Sequence, residues 1–236
     1  DLICFQPEPG RYDVCALGET EPLASYDGLC SYWREDAAFI ARDDGAFLVT
    51  PDGEQPCVNS YAVNGGEAAF LLTGGTLAVY GPGGRTEVEA GLAGVLSQPG
   101  SWVSVFSVTD GYVLVNVSGS GGAESCSQVY GPSGLMYDST GSGYDRLNVL
   151  TMGPDGPVYE AARQGAGGAW LSDVLDSRGN VLLSGLTDVS GDSSLPGGVF
   201  AARRGFERGY MDLAGNWLYS ESVFTSLADE DGSYDW

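Results

Sequence analysis

The side chains in this sequence that are able to do chemistry are mainly carboxylates. The 236 residues include 32 Asp and Glu, whereas His and Lys are absent and the 10 basic residues are all Arg. The absence of His excludes Ser-His-Asp and Cys-His nucleophile systems and His-ligated zinc, and the absence of Lys excludes Schiff-base chemistry. An enzyme that uses one carboxylate as acid and another as nucleophile needs neither residue. A carboxylate-based enzyme acting on polysaccharide is therefore one alternative for the function.

A C-terminal acidic cluster is the candidate metal site. Asp229, Asp231 and Asp235 lie around Gly232 and offer hard oxygen ligands of the kind that calcium prefers. The segment lacks the distal bidentate Glu of the twelve-residue calcium loop, and solvated acidic tails are common at chain ends. We therefore expect no metal and no cofactor, with calcium at these three residues as the alternative.

The cysteine spacing supports two interpretations. None of the five cysteines forms a Cys-x-x-Cys motif, which disfavours a structural zinc site. Cys4 and Cys15 flank the first predicted hairpin and would face each other if the register pairs them, as a disulfide of an exported protein. The alternative is that the cysteines are small buried side chains in strands.

Aromatic side chains near predicted loops are the candidate binding residues. Tyr32 and Trp33 follow a short Tyr-x-x-Leu marker, Trp102 follows a Pro-Gly-Ser loop, and Trp170 borders a Gly-rich tip. Aromatic faces stack on sugar rings or on the side chains of a protein partner. Trp is also well buried on average, so a core role is the alternative for each residue.

Charge and hydropathy exclude two classes of partner. The net charge of −22 repels phosphate backbones and anionic lipid headgroups, so we expect no nucleic-acid partner. No apolar run approaches the roughly 20 residues of a membrane-spanning helix. We therefore expect no membrane insertion.

Composition and turn spacing predict an all-β fold. With 43% apolar residues, 37 Gly and 11 Pro, the chain has enough apolar side chains for a core and frequent turns. Hairpins are predicted where a short turn separates two apolar runs. These are residues 37–50 around Asp43-Asp44-Gly45, 68–80 around Gly74-Gly75, and 103–117 around Asp110-Gly111.

Internal repetition organises these hairpins. A turn glycine recurs on average about every 39 residues, each followed after a nearly constant distance by an aromatic residue or Leu. The six glycines are Gly18, Gly53, Gly84, Gly134, Gly179 and Gly215. We predict one repeat domain, 1–236, with units at approximately 1–29, 30–63, 64–95, 96–147, 148–189 and 190–236. Because a lone hairpin cannot bury its apolar face, the six units are expected to stack in a propeller-like array, with an open solenoid as the alternative.

The fourth and fifth units carry matched insertions. Each places a Gly-rich tip between its two turns, Gly119-Ser-Gly-Gly-Ala123 in one and Gly165-Ala-Gly-Gly-Ala169 in the other. Glycines supply the positive φ angles of tight reversals, so both segments are predicted to be extended hairpins. Gly121 and Gly167 at the tips join the candidate binding residues because insertions on repeat scaffolds gather on one, often binding, face. The alternative is that the hairpins cover an edge or a gap.

One stretch resembles the bacterial WG repeat. Residues 209–217, Gly-Tyr-Met-Asp-Leu-Ala-Gly-Asn-Trp, resemble the first part of this repeat and are followed by Phe224-Thr-Ser-Leu227. The second part of the repeat is a Tyr-Asp element about ten residues later, which Tyr26-Asp27 and Tyr144-Asp145 match. The resemblance implies β-repeats in bacterial surface or envelope proteins and carries no shared catalytic residues.

These patterns together predict a non-catalytic module of recognition or scaffolding, secreted or displayed on a bacterial cell surface. The expected partner is a protein or a glycan, bound on the face of the two long hairpins, and the expected state is a monomer. A purely structural spacer is the third possibility beside the enzyme.

Overall fold

The computed structural model describes residues 2–34, 36–119, 125–165, 168–191 and 195–223, with the side chain of Trp33 also left out. These residues form strands almost throughout, so the predicted all-β fold is confirmed. The only helix in the described ranges is one turn long, and no helix there could cross a membrane. The chain divides into two compact units, Asp1–Leu135 and Met136–Trp236.

The first unit contains three antiparallel sheets. Its strands are β1 (Leu2–Glu8), β2 (Arg11–Ala16), β3 (Ala24–Asp27), β4 (Leu29–Arg34), β5 (Ala37–Arg42), β6 (Gly45–Thr50), β7 (Gly53–Asn64), β8 (Glu67–Leu72), β9 (Thr76–Gly81), β10 (Gly84–Glu89), β11 (Trp102–Thr109), β12 (Tyr112–Ser118) and β13 (Cys126–Gly131), with helix α1 (Ala93–Leu96) before β11 and β14 (Gly134–Asp138) at the unit boundary. The sheets have the orders β1-β2-β3, β10-β9-β8-β7-β6-β5-β4 and β11-β12-β13-β14. Within each of these sheets, strands that are consecutive in the chain lie side by side.

The second unit contains one seven-stranded antiparallel sheet. Its strands follow chain order as β15 (Arg146–Gly153), β16 (Gly156–Gln164), β17 (Trp170–Leu175), β18 (Val181–Ser190), β19 (Val199–Arg204), β20 (Glu207–Asp212) and β21 (Trp217–Ser222).

Two long strands each belong to two neighbouring strand groups. The first residues of β7, up to Cys57, pair with β6. Cys57 also pairs with β8, as do the residues from Tyr61 on, with a register shift between Cys57 and Tyr61. Strand β18 does the same: Val181 to Leu186 pair with β17, and Thr187 to Ser190 pair with β19. The shifts bend both strands, because an irregular ladder increases the local twist.

The predicted turns are present. All six recurring glycines have positive φ, between 80° at Gly179 and 123° at Gly53. The three predicted hairpins are the pairs β5–β6, β8–β9 and β11–β12. In the last of these, Asp110 and Gly111 have φ of 51° and 74°, the conformation of a type I′ turn, whose twist matches that of the strands.

Two Asp residues have the structural role that their position beside turn glycines predicts. Asp176 accepts hydrogen bonds from the backbone of Arg178 and Asn180 at 2.8 and 2.9 Å and from the Asn180 amide at 2.7 Å. The loop that begins at Asp212 repeats this arrangement with Asn216, at 2.8 Å for the backbone and 3.0 Å for the side chain. Both carboxylates therefore close a five-residue loop.

Three of the recurring markers lie in hydrophobic cores. Tyr26, Leu92 and Leu186 are 2%, 3% and 0% exposed, so these three residues contribute to the core. Phe224, the marker of the last unit, lies outside the described residues.

The register of the first hairpin corrects the predicted Cys4–Cys15 disulfide. Cys4 pairs with Val14, whereas Cys15 pairs with Ile3. Because successive side chains of a strand point to opposite faces, the two thiols lie on opposite faces of this sheet. The disulfide prediction is wrong, and Cys15 and Cys57 are buried at 3% and 5% exposure.

Candidate functional site

The outward face of the last three strands of the second unit carries the candidate site. Strands β19 and β20 turn Phe200, Ala202 and Met211 inward, where all three are buried in one hydrophobic cluster. The alternate residues point the other way and line a cavity of about 450 Å³. We call it the tyrosine groove, lined by Asp188, Ala201, Arg203, Arg208, Tyr210, Tyr219 and Glu221, with Ala202 and Gly209 between them.

Two cross-strand tyrosines provide the aromatic surface of the groove. Tyr210 on β20 pairs directly with Tyr219 on β21, and the two side chains are 40% and 59% exposed. Large aromatic side chains exposed side by side are uncommon on a protein surface unless they contact a partner, since each loses favourable burial. The aromatic faces are thus available to a ligand.

Two arginine–carboxylate pairs border the tyrosines. Arg208 Nε donates to Glu221 Oε1 at 2.7 Å across the β20–β21 pair. Arg203 on β19 approaches the carboxylate of Asp188 at 3.8 Å. These four side chains give the groove hydrogen-bond donors and acceptors with no net charge.

The backbone of Asp188 is unusual. Its φ is 50°, a left-handed conformation that Asp tolerates better than most residues. The position lies where the pairing of β18 and β19 shifts, between Thr187 and Ser190. Such backbone exceptions gather at binding sites, and here the irregularity places a carboxylate in the lining of the groove.

A family model with the description "Domain of unknown function (DUF5046)" matches residues 52–230. The chain belongs to the DUF5046 family. No curated protein matches the DUF5046 chain. Among solved structures, it is similar to the computationally designed Ika8 protein, with 13% identity and a TM-score of 0.42 over 94% of this chain and 72% of that one. It is also similar to BamB from Moraxella catarrhalis, with 9% identity and a TM-score of 0.34 over 91% of this chain and 68% of that one.

The two tryptophans predicted as binding residues each begin a strand and lie opposite the residue that precedes a Gly-rich tip. In the DUF5046 chain Trp102 pairs with Ser118 and is 53% exposed, and Trp170 pairs with Gln164 and is 48% exposed. The guanidinium carbon of Arg146 lies 5.2 Å from the Trp170 ring centroid. The pairs β12–β13 and β16–β17 confirm that both segments are hairpins. Trp102 and Trp170 belong to different compact units.

Tyr32 is partly buried, and its ring packs against other aromatic rings, in line with the core role that was the alternative for this residue. It lies 5.5 Å from the Phe70 ring and 6.0 Å from the Tyr61 ring, centroid to centroid, within an aromatic cluster of the first unit. Burial raises the pKa of its hydroxyl. The residue therefore contributes packing to the core of the DUF5046 chain.

The remaining predicted site residues lie outside the described parts of the DUF5046 chain. They are the Trp33 side chain, Gly121, Gly167, Asp229, Asp231 and Asp235. Within the ranges that the structure describes, no group of three or more Cys, Asp or Glu could hold a metal ion.

Two buried carboxylates in the second unit lie on opposite faces of the sheet. Glu160 accepts from Ser172 Oγ at 2.7 Å and from Asn148 Nδ2 at 2.9 Å. Asp173 accepts from Tyr144 Oη at 2.8 Å and lies 3.3 Å from Arg163 Nη2. Because Glu160 pairs with Val174 and Ala161 pairs with Asp173, these carboxylates do not share one site in the DUF5046 chain.

Sequence reasoning missed the tyrosine groove. The signal available was alternation: in 200–211 the inward residues Phe200, Ala202 and Met211 are apolar, and the outward Arg203, Arg208 and Tyr210 are not. Alternation of this kind reveals which face of a strand is outward, but the turn at Gly205 and the register of β21 decide which outward residues meet.

Proposed function

We propose that this chain is a non-catalytic recognition module that binds an uncharged glycan in the tyrosine groove. The observation that carries the proposal is the exposed cross-strand pair Tyr210 and Tyr219, bordered by two arginine–carboxylate pairs. Its cavity of about 450 Å³ falls in the range of small-ligand sites.

The chemistry of the groove suits a sugar ring. Aromatic faces bind the apolar faces of sugar rings, and ring hydroxyls both donate and accept hydrogen bonds. Asp188 and Glu221 supply acceptors, and Arg203 and Arg208 supply donors. A ligand that carries hydrogen-bond donors and acceptors close together can therefore hydrogen-bond to all four side chains.

Charge selects the class of glycan. The two arginines and two carboxylates of the groove balance one another, whereas the whole chain carries −22. The surrounding field repels anionic polymers. We therefore propose a neutral oligosaccharide and not an acidic one.

A glycan array followed by titration calorimetry tests this proposal. Tyr219→Ala and Tyr210→Ala should each weaken binding of a neutral hit at least tenfold, because each removes an aromatic contact. Leu218→Ala is the matched control, since Leu218 is on the same strand, is 59% exposed like Tyr219 and lies outside the cavity. Trp102→Ala tests the long-hairpin face instead. If Trp102→Ala abolishes binding and both tyrosine variants bind normally, the groove is not the site.

The carboxylates of the groove suggest one alternative function, that of a glycoside hydrolase, which experiment can test. Asp188 and Glu221 line the same cavity, and a pair of carboxylates is sufficient for glycoside hydrolysis. If the wild-type chain releases reducing ends from the bound glycan, and both Asp188→Asn and Glu221→Gln abolish that release, the chain is an enzyme and not a recognition module. A chain that binds no member of the array would instead act as a spacer.

We further propose that the strands form six β-repeats in a propeller-like array, exported to a bacterial surface or its surroundings, as in WG-repeat proteins. The shared strands β7 and β18 support the repeat count, because they divide the two seven-stranded sheets into four groups beside β1–β3 and β11–β14. Small-angle scattering tests closure: a compact chain of this length has a radius of gyration of about 17 Å, and an open solenoid gives a larger value.

A further inference from the structure

Two cysteines from different sheets of the first unit meet in one hydrophobic cluster. Cys4 lies on β1 and Cys30 on β4, and both pack against a cluster formed by Leu2, Val14, Tyr26, Ala38, Ile40 and Val49. Neither thiol is fully buried. The cluster is where these two sheets of the first unit contact each other, because its members come from both.

The registers of β1 and β4 place both thiols on the faces that contact this cluster. Cys4 pairs with Val14 and Cys30 pairs with Ile40, and both partners are 0% exposed. Since paired residues point to the same face, each sulfur lies on the inward side of its sheet. Strands β1 and β4, which carry the two cysteines, contact each other, and Cys30 Sγ donates to the carbonyl oxygen of Tyr32 at 3.6 Å.

We propose that Cys4 and Cys30 are an oxidation site, and that they form a disulfide which links β1 to β4. The oxidant is a small-molecule disulfide such as oxidised glutathione. One sulfur of the pair attacks it, forms a mixed disulfide and releases one glutathione thiolate. The second cysteine then attacks the sulfur of the first and releases the other thiolate. The two protons of the cysteines pass to the two glutathiones, so atoms and electrons balance.

The different surroundings of the two thiols assign the order of attack. The interaction with Cys4 lowers the pKa of Cys30, whereas the interaction with Cys30 and burial raise the pKa of Cys4. Because the thiolate is the nucleophile, Cys30 reacts first with the oxidant and Cys4 resolves the mixed disulfide.

The bond would close a loop between residues 4 and 30 and restrict the unfolded chain. For a loop of this size we expect the melting temperature to rise by roughly 5 to 10 °C on oxidation. The bond would also hold together two sheets that no described backbone ladder connects. Oxidation should therefore stabilise β1–β3 most.

Peptide mapping of the whole chain tests the proposal. The chain is equilibrated with oxidised glutathione, free thiols are alkylated, and the digest is examined by mass spectrometry. A linked peptide pair containing Cys4 and Cys30, two hydrogens lighter than the sum of its parts, is the expected result. Cys15 and Cys57, the buried thiols, serve as internal controls and should be alkylated only after unfolding. Free alkylation of Cys4 and Cys30 after oxidation, or a link to another cysteine, would overturn it.

Thermal melting gives a second readout. The wild-type chain should lose its oxidative gain in melting temperature when dithiothreitol is added. Cys30→Ala and Cys4→Ala should melt at one temperature with and without oxidant, whereas Cys57→Ala should keep the gain. An equal gain in Cys30→Ala would refute the pairing.

Discussion

A Cβ atom on Gly209 would lie only 2.0 Å from the carbonyl oxygen of Tyr219 and 2.8 Å from Cα of Ser220. Non-bonded heavy atoms do not approach so closely, so β20 and β21 keep their spacing here because residue 209 has no side chain. The contact lies beside the register shift that follows the Tyr210–Tyr219 pair. Gly209 therefore determines where Tyr219 enters the groove.

Gly209→Ala should destabilise the chain by about 2 kcal/mol, because the added methyl group forces the two strands apart. It should also weaken glycan binding as strongly as Tyr219→Ala. Thermal melting and calorimetry measure the two effects. Gly83→Ala is the control, since a Cβ there meets no atom within 4 Å and Gly83 has no positive φ. Similar melting temperatures for both variants would contradict the steric explanation.

Glu67 on β8 hydrogen-bonds the turn between β11 and β12, which belong to a different sheet. Its carboxylate on β8 accepts from the backbone N–H of Asp110 at 2.7 Å and of Gly111 at 2.8 Å. Glu67→Ala removes both charge-assisted bonds and should cost about 2 kcal/mol of unfolding free energy. Chemical denaturation measures it. Glu19→Ala, an exposed loop carboxylate, is expected to change stability by less than about 0.5 kcal/mol.

Asp173 is a buried carboxylate of the second unit that accepts several hydrogen bonds. It is 3% exposed and accepts from Tyr144 Oη and from the backbone N–H of Gly185 at 3.1 Å. Asp173→Ala leaves both donors unpaired and should destabilise the chain by about 3 kcal/mol. The exposed Glu207→Ala should have little effect on stability, and equal losses in the two variants would rule out a role of burial.

The paired loops at Asp176 and Asp212 predict an acid-sensitive contribution to stability. Hydrogen bonds from the Asn216 side chain and backbone lower the pKa of Asp212. Partial burial raises the pKa of Asp176, but the hydrogen bonds from Asn180 and Arg178 outweigh it and lower the pKa below its ordinary value. A pKa lower in the folded than in the unfolded state stabilises the fold above the unfolded value, near 4, and this stabilisation disappears as the pH falls through the folded value.

The double variant Asp176→Asn, Asp212→Asn should therefore melt below the wild type at pH 7 and approach it at pH 2. Melting curves at several pH values measure the difference. Glu19→Gln provides a control without these hydrogen bonds. If the difference in melting temperature between the wild type and the double variant is the same from pH 7 to pH 2, ionisation of these two carboxylates does not contribute to stability.

The turns could be predicted from the sequence because each depends on a local requirement. Asp110-Gly111 needs two consecutive positive φ angles, and short polar side chains and glycine meet that requirement before any tertiary contact forms. The same reasoning located the two long hairpins. Residues that act through their own backbone are readable from spacing alone.

The tyrosine groove and the cysteine contact depend on register and could not be read in this way. Tyr210 meets Tyr219 because of the turn and irregular pairing between their strands. Cys4 meets Cys30 because two sheets pack together, whereas proximity along the chain suggested Cys15. A shift of one residue would have moved each side chain to the other face.

Strand β7 joins two groups of strands in one continuous backbone, pairing with β6 at Gly53–Cys57 and with β8 at Cys57 and from Tyr61 to Asn64. The fraying of either partner exposes one half of β7 and removes a constraint on the other half. Its amide hydrogens should consequently exchange with deuterium at nearly one rate along both halves. The two groups would then unfold as a single cooperative segment, so the strand groups outnumber the independent folding steps.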